Sequence, residues 1–155
     1  LEAYGLTGTD GLMTRRHFGA YRAAAGASGK TYVYLFSHRP PEPGDADKQR
    51  DPDRLLSWRG SELWYTFGSL RPGVPPARRW HQQDYRLAGQ LTGYWANFIR
   101  TGDPNGPGLP PWPVCGEQYG WMHLCEHPTG HVGLRDELDA LILEKLLSDP
   151  GVPRA

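Results

Sequence analysis

Residues 84–113 read DYRLAGQLTGYWANFIRTGDPNGPGLPPWP, and the fold turns on this stretch. Leu87, Leu91, Tyr94, Trp95, Phe98 and Ile99 recur at spacings of three and four. Such spacing puts one wide apolar stripe on a helix of about 17 residues, from Asp84 to Arg100. Asp84 is expected as the N-cap, because its carboxylate can accept from the open N–H groups of the first turn. Gly102 is the expected stop, since glycine enters the left-handed region without steric cost. Asp103-Pro104-Asn105-Gly106 is turn chemistry, and the proline prevents the helix from continuing.

Working upstream, Thr31-Tyr32-Val33-Tyr34-Leu35-Phe36 is short, aromatic and β-branched, and reads as a strand. It is apolar on both faces, as in a sheet covered by helices on each side. Phe18, Tyr21 and Ala24/Ala25 space a helix over residues 15–25, ended by Gly26-Ala27-Ser28-Gly29, after a loop over residues 1–12. Residues 40–54 form a charged, proline-rich loop, and residues 71–79 form another. Between them Leu63-Trp64-Tyr65-Thr66-Phe67 is a second compact apolar segment, stopped by Gly68. Downstream, Trp121-Met122-His123-Leu124 suits a short strand, and Leu138, Leu141, Ile142, Leu146 and Leu147 line one side of a helix over residues 135–147. One convincing core strand cannot satisfy its own backbone, so the rest of the sheet is expected elsewhere.

Composition narrows the function classes. Lys+Arg and Asp+Glu both total 17 in 155 residues, which gives no electrostatic reason to expect nucleic acid or an anionic membrane. Gly 20 and Pro 15 are high, yet six Trp and eight Tyr argue for ordered, loop-rich structure over disorder. Cys115 and Cys125 have no CxxC spacing, and a disulfide and two thiols both remain open. No apolar run approaches the roughly 20 residues that span a bilayer. The start, Leu1-Glu2-Ala3-Tyr4, has no Met and no signal-like pattern, and the chain is expected to begin inside a longer protein. The compartment stays open.

Three segments carry a resemblance. The first is Tyr32-Val33-Tyr34-Leu35-Phe36-Ser37-His38-Arg39-Pro40. The second is Gly60-Ser61-Glu62-Leu63-Trp64-Tyr65-Thr66-Phe67-Gly68. The third, and most specific, is Tyr94-Trp95-Ala96-Asn97-Phe98-Ile99-Arg100-Thr101-Gly102-Asp103-Pro104-Asn105-Gly106, followed by Leu109-Pro110-Pro111-Trp112-Pro113. In this order they resemble the C-terminal third of the type-B carboxylesterase and cholinesterase-like family. The resemblance spans about residues 15–125. It implies an α/β fold, the C-terminal part of an α/β-hydrolase with an incomplete sheet, and a single domain segment over residues 1–155.

That family hydrolyses carboxylic esters with a serine nucleophile on a sharp turn, a base histidine, an acidic residue that orients it, and an oxyanion hole. No G-x-S-x-G occurs here; Gly26-Ala27-Ser28-Gly29 ends one residue early and reads as a plain turn. The resemblance implies that nucleophile and acid lie upstream of residue 1. It also implies that the base should stand three residues before Glu62, where this sequence has Arg59. Arginine is always protonated and offers only donors, so it cannot take a proton from serine. No catalytic residue is therefore assigned.

The other histidines have plainer readings. His38 matches a polar strand exit of the family, and a catalytic role is the minority reading. His17 falls on a helix, and His81 sits beside Trp80 just before one. His123, His127 and His131 are four apart, which on a helix would suit a metal, but Pro128 and Gly130 break such a helix. Arg78-Arg79 in a proline-rich loop are expected to be solvated, and Glu62 to cap or pair locally. No cofactor and no metal is expected. Trp64, Tyr65 and Phe67 are candidates to line or support a pocket. A small ester is expected as partner only if upstream sequence completes the site; nucleic acid and membrane are not expected, and self-association through exposed apolar surface is. The functional readings are a hydrolase segment inactive by itself, a non-catalytic interaction domain, and a fragment without a function of its own.

Overall fold

The computed structural model describes residues 19, 22, 26, 28–41, 57–73, 78–116 and 118–133, and singly 137, 141, 144 and 148. The expected helices over residues 15–25 and 135–147 lie mostly outside the described residues. Along the chain come β1 (Tyr34–Phe36), α1 (Leu63–Thr66), α2 (Gln82–Thr101), β2 (Trp121–Leu124) and β3 (Thr129–His131). The strands pair in the order β1-β2-β3. Met122 N–H donates to Val33 O at 2.9 Å and Ser37 N–H to Leu124 O at 3.0 Å, so contacts advance together along β1 and β2, and the pair is parallel. Residues 125–128 link β2 to β3, too few for a crossover, so that pair is antiparallel and the sheet is mixed.

The chain divides into two compact units, one of Leu1–Leu35, Trp112–Met122 and Gly130–Ala155, the other of Phe36–Pro111 and His123–Thr129. In the first, Val33, Cys115 and Trp121 form a buried cluster with Leu35 packed on it. Trp112 locks the strand's approach: its Nε1–H donates to Val33 O at 3.2 Å, and Tyr32 and Tyr34 meet its ring edge-on at 6.2 and 5.9 Å. Cys115 N–H donates to Thr31 O at 2.8 Å. These bonds hold residues 31–33 extended, although the strand proper is shorter than the apolar run predicts. Cys115 and Cys125 are both free thiols.

In the second unit α1 packs on α2. Leu63-Trp64-Tyr65-Thr66, rich in strand-favouring residues, is helical: Thr66 N–H reaches Glu62 O at 2.9 Å and Phe67 N–H reaches Leu63 O at 3.0 Å. Among the described residues no strand pairs with it, and a local turn satisfies its backbone instead. Gly68, at φ 58°, ends it as expected. The single Thr92 hydroxyl on α2 lies 3.3 Å from both Tyr65 O and Thr66 O, a shared bond that ties the end of α1 to α2.

Helix α2 runs 20 residues and ends at Gly102 in the left-handed region, φ 75°, as the sequence predicts. Its start differs. His81 is the N-cap, and Asp84 lies at N3, where its Oδ2 accepts from His81 N–H at 2.7 Å. The apolar stripe also differs at its far end. Leu87, Leu91 and Tyr94 are fully buried, but Phe98 is 45% and Ile99 80% exposed. The segment after the helix folds back along it. Tyr94 O–H donates to Pro110 O at 2.6 Å, and burial pushes its phenol up to about 12. Asn97 Nδ2 donates to Pro104 O at 3.2 Å, and a Cβ at Gly106 would run into that Asn97 amide. Asp103 Oδ1 accepts from Asn105 N–H and Nδ2 at 3.0 and 2.8 Å, which closes the turn. The long string of residues 94–110 is thus one interlocked device.

Candidate functional site

The second unit holds His38, Arg59, Ser61, Glu62, Arg78 and the aromatic candidates Trp64, Tyr65 and Phe67. Arg59 is exposed in a tight turn between β1 and α1. Ser61 N–H donates to Trp58 O at 3.0 Å, and Gly60 takes φ 90°. Ser57 Oγ donates to Phe36 O at 3.1 Å and ties this loop to the end of β1. Ser61 is fully buried, and its Oγ has no hydrogen-bond partner. Glu62 occupies the N-cap of α1 but makes no side-chain cap bond, so its expected capping role is corrected here.

Behind this loop lies a buried polar network. Asp84 Oδ1 accepts from His38 Nε2–H at 2.8 Å and from Tyr65 O–H at 2.9 Å, while Oδ2 accepts from His81 N–H at 2.7 Å. Asp84 is 1% and His38 5% exposed, so water does not screen the pair. Burial alone would raise the Asp84 pKa, but the bonds from His38, His81 N–H and Tyr65 outweigh it and hold the carboxyl below its ordinary value. Tyr65 moves the other way: burial first, then the Asp84 charge and its hydrogen bond, push the phenol well above its usual range. His38 is thus buried, with its Nε2 held by Asp84. Its ring packs edge-on against Tyr65 at 5.1 Å.

Arg78 corrects another expectation. It is 3% exposed, whereas Arg79 is exposed. The Arg78 guanidinium donates to Pro41 O and lies 5.2 Å from the Trp58 ring centroid and 4.8 Å from that of Trp64. Trp64 meets Trp58 and Trp80 edge-on at 5.9 and 5.7 Å. Of the three aromatic candidates for a pocket, Tyr65 is buried in the network, Trp64 holds Arg78, and Phe67 is 74% exposed.

A second polar pair is one that sequence reading missed altogether. Ser37 Oγ and His123 Nε2 lie 2.6 Å apart, both half-buried, one just past β1 and the other on β2. The strand pairing brings them together, and their separation of 86 residues leaves no local spacing to find. His131 sits in β3, stacked on Trp121 at 4.5 Å. Among the described residues no group of three His, Cys, Asp or Glu could hold a metal ion, and no helix is long and apolar enough to cross a membrane.

The comparisons agree with this architecture. The sequence model of the carboxylesterase family matches residues 8–140. Mouse carboxylesterase 1C is 30% identical over 131 residues, which cover 83% of this chain and 22% of the relative. Chicken acetylcholinesterase is 33% identical over 132 residues, covering 81% and 16% respectively. Among solved structures, an esterase from Clostridium hathewayi that hydrolyses aliphatic aromatic polyesters aligns with TM-score 0.57 and 28% identity, over 79% of this chain and 21% of that one. The Geobacillus stearothermophilus carboxylesterase aligns with TM-score 0.55 and 25% identity, over 77% and 22%. The chain thus spans about a fifth of the length of these proteins and carries part of the α/β-hydrolase fold. It belongs to the carboxylesterase family.

Proposed function

We propose that the chain is the C-terminal segment of one α/β-hydrolase domain of carboxylic-ester-hydrolase type, and that it does not itself turn over esters. One observation carries the reading. Arg59 stands where the family resemblance calls for the base histidine, exposed in a turn. A guanidinium cannot accept the proton of an attacking serine. Neighbouring groups do not repair this: His38 is locked onto Asp84, and Ser61 is sealed from solvent.

The test is steady-state hydrolysis of short p-nitrophenyl esters by the purified chain and by Arg59→His. The expected result is no turnover above the buffer rate for either, because a base at position 59 does not by itself assemble the nucleophile and oxyanion hole that multiple turnover needs. Saturable, multiple-turnover hydrolysis by the wild-type chain would sink the reading.

A second reading, a non-catalytic interaction domain, draws support from the exposed apolar side chains of the second unit. Leu63, Phe67 and Ile99 are 49%, 74% and 80% exposed.

A further inference from the structure

We propose that Ser37 is a nucleophile served by His123, a pair able to take up an activated acyl or phosphonyl group. The inference is independent of Arg59 and requires no turnover. Three observations carry it. Ser37 Oγ lies 2.6 Å from His123 Nε2, within reach for direct proton transfer. Both residues are half-buried, neither in the core nor fully exposed. Ser37 immediately follows β1, and His123 is near the C-terminal end of the adjacent parallel β2. Ligands of α/β sheets enter at that end of the strands.

Comparison with neighbouring serines sharpens the assignment. Ser57 Oγ donates to Phe36 O and Ser69 Oγ to Trp64 O. A carbonyl oxygen cannot accept a proton outright, so neither hydroxyl is activated. Ser61 Oγ is buried with no partner at all. Ser37 is held by its backbone, whose N–H donates to Leu124 O at 3.0 Å, so the hydroxyl is presented from a fixed strand end.

In the step itself, Ser37 Oγ attacks the electrophilic phosphorus or acyl carbon as its proton passes to His123 Nε2. The Oγ–P or Oγ–C bond forms. The bond to the leaving group breaks, and fluoride departs from a fluorophosphonate, or an alkoxide or phenolate from an ester, to take the proton back from the imidazolium. No redox partner is involved. Without an assembled oxyanion hole the product is a stable serine adduct.

The test is labelling of the full chain with a fluorophosphonate, read by intact mass and peptide mapping. One adduct per chain is expected, on Ser37, absent in Ser37→Ala. In His123→Gln the labelling rate should fall about 100-fold or more, the usual scale for loss of a positioned base. An unlabelled Ser37, an adduct on another serine alone, or an unchanged rate in His123→Gln overturns the proposal. Because either variant could fold poorly, the wild-type chain supplies a second reading by nitrogen-15 NMR of the His123 ring. The proton is expected on Nδ1, with Nε2 accepting from Ser37. A proton on Nε2 in the neutral ring makes Ser37 the acceptor and overturns the assignment.

Discussion

His38 Nε2 donates to Asp84 Oδ1 at 2.8 Å, joining the exit of β1 to the first turn of α2 across 46 residues of sequence. The same carboxylate holds His81 N–H and Tyr65 O–H. One side chain thus caps a helix, anchors a strand exit and fixes α1. Removing its charge strands several donors in a site with almost no water. Asp84→Asn is expected to lower unfolding stability by about 3 kcal/mol, the scale for breaking a buried pair from one side. A shifted urea midpoint at unchanged slope checks this; an unshifted midpoint contradicts the network's importance.

The sign of the acid response follows from the depressed Asp84 carboxyl. A group whose folded pKa lies below its unfolded value of about 3.9 stabilises the fold above that value. The contribution disappears as pH falls through the folded pKa. The stability gap between wild type and Asp84→Asn should therefore be constant near neutrality and narrow below about pH 4. A gap that persists unchanged at pH 2 would assign the loss to packing.

Tyr65→Phe isolates one spoke of the same hub. The ring contacts with Phe36 at 5.5 Å and Trp80 at 6.0 Å are retained, while the donor to Asp84 is lost. A cost of about 1.5–3 kcal/mol is expected for a hydrogen bond to a charged group. Combined with Asp84→Asn, the two losses should be less than additive, because they share one oxygen. Strict additivity in urea titrations would show that the two side chains act apart.

The parts legible in the sequence are those written in local spacing. The period of Leu87, Leu91 and Tyr94 announces α2, and Gly102 ends it where expected. The start of the helix differs from expectation because Asp is a favoured N-cap residue, while here its carboxylate serves from N3 by accepting the backbone N–H of His81. Phe98 and Ile99 continue the period yet face outward, since periodicity names a face without saying how far along it a neighbour reaches. The sequence predicts a solvated Arg78, because nothing local reports its approach to the Trp58 and Trp64 rings. The pairs His38–Asp84 and Ser37–His123 depend on strand and helix placement, and no motif spacing carries that.

Exposed apolar residues make a prediction about association. Phe67 and Ile99 are 74% and 80% exposed, and large apolar groups in water favour contact with others. The wild-type chain should show a concentration-dependent rise in mass by light scattering at low micromolar levels or above. Phe67→Ser with Ile99→Lys should suppress it and leave the unfolding free energy from urea titration within about 0.5 kcal/mol, as for ordinary surface changes. Equal association by the variant would place the contact elsewhere.

Arg78→Lys tests whether the guanidinium itself is needed between the tryptophans. Arg78 is 3% exposed, so its charge is stabilised by what touches it: the faces of Trp58 and Trp64 and the carbonyl of Pro41. Lysine retains the charge but concentrates it in a strongly hydrated ammonium without a planar fork. It cannot meet both rings and reach the carbonyl in the same geometry. A desolvated cation–π contact contributes about 2 kcal/mol, and Arg78→Lys should lose an amount on that order. Water following the ammonium inward should shift tryptophan emission to the red. A wild-type midpoint with unchanged emission would mean that any cation suffices there, and that the planar guanidinium contributes nothing to holding the loop before α2.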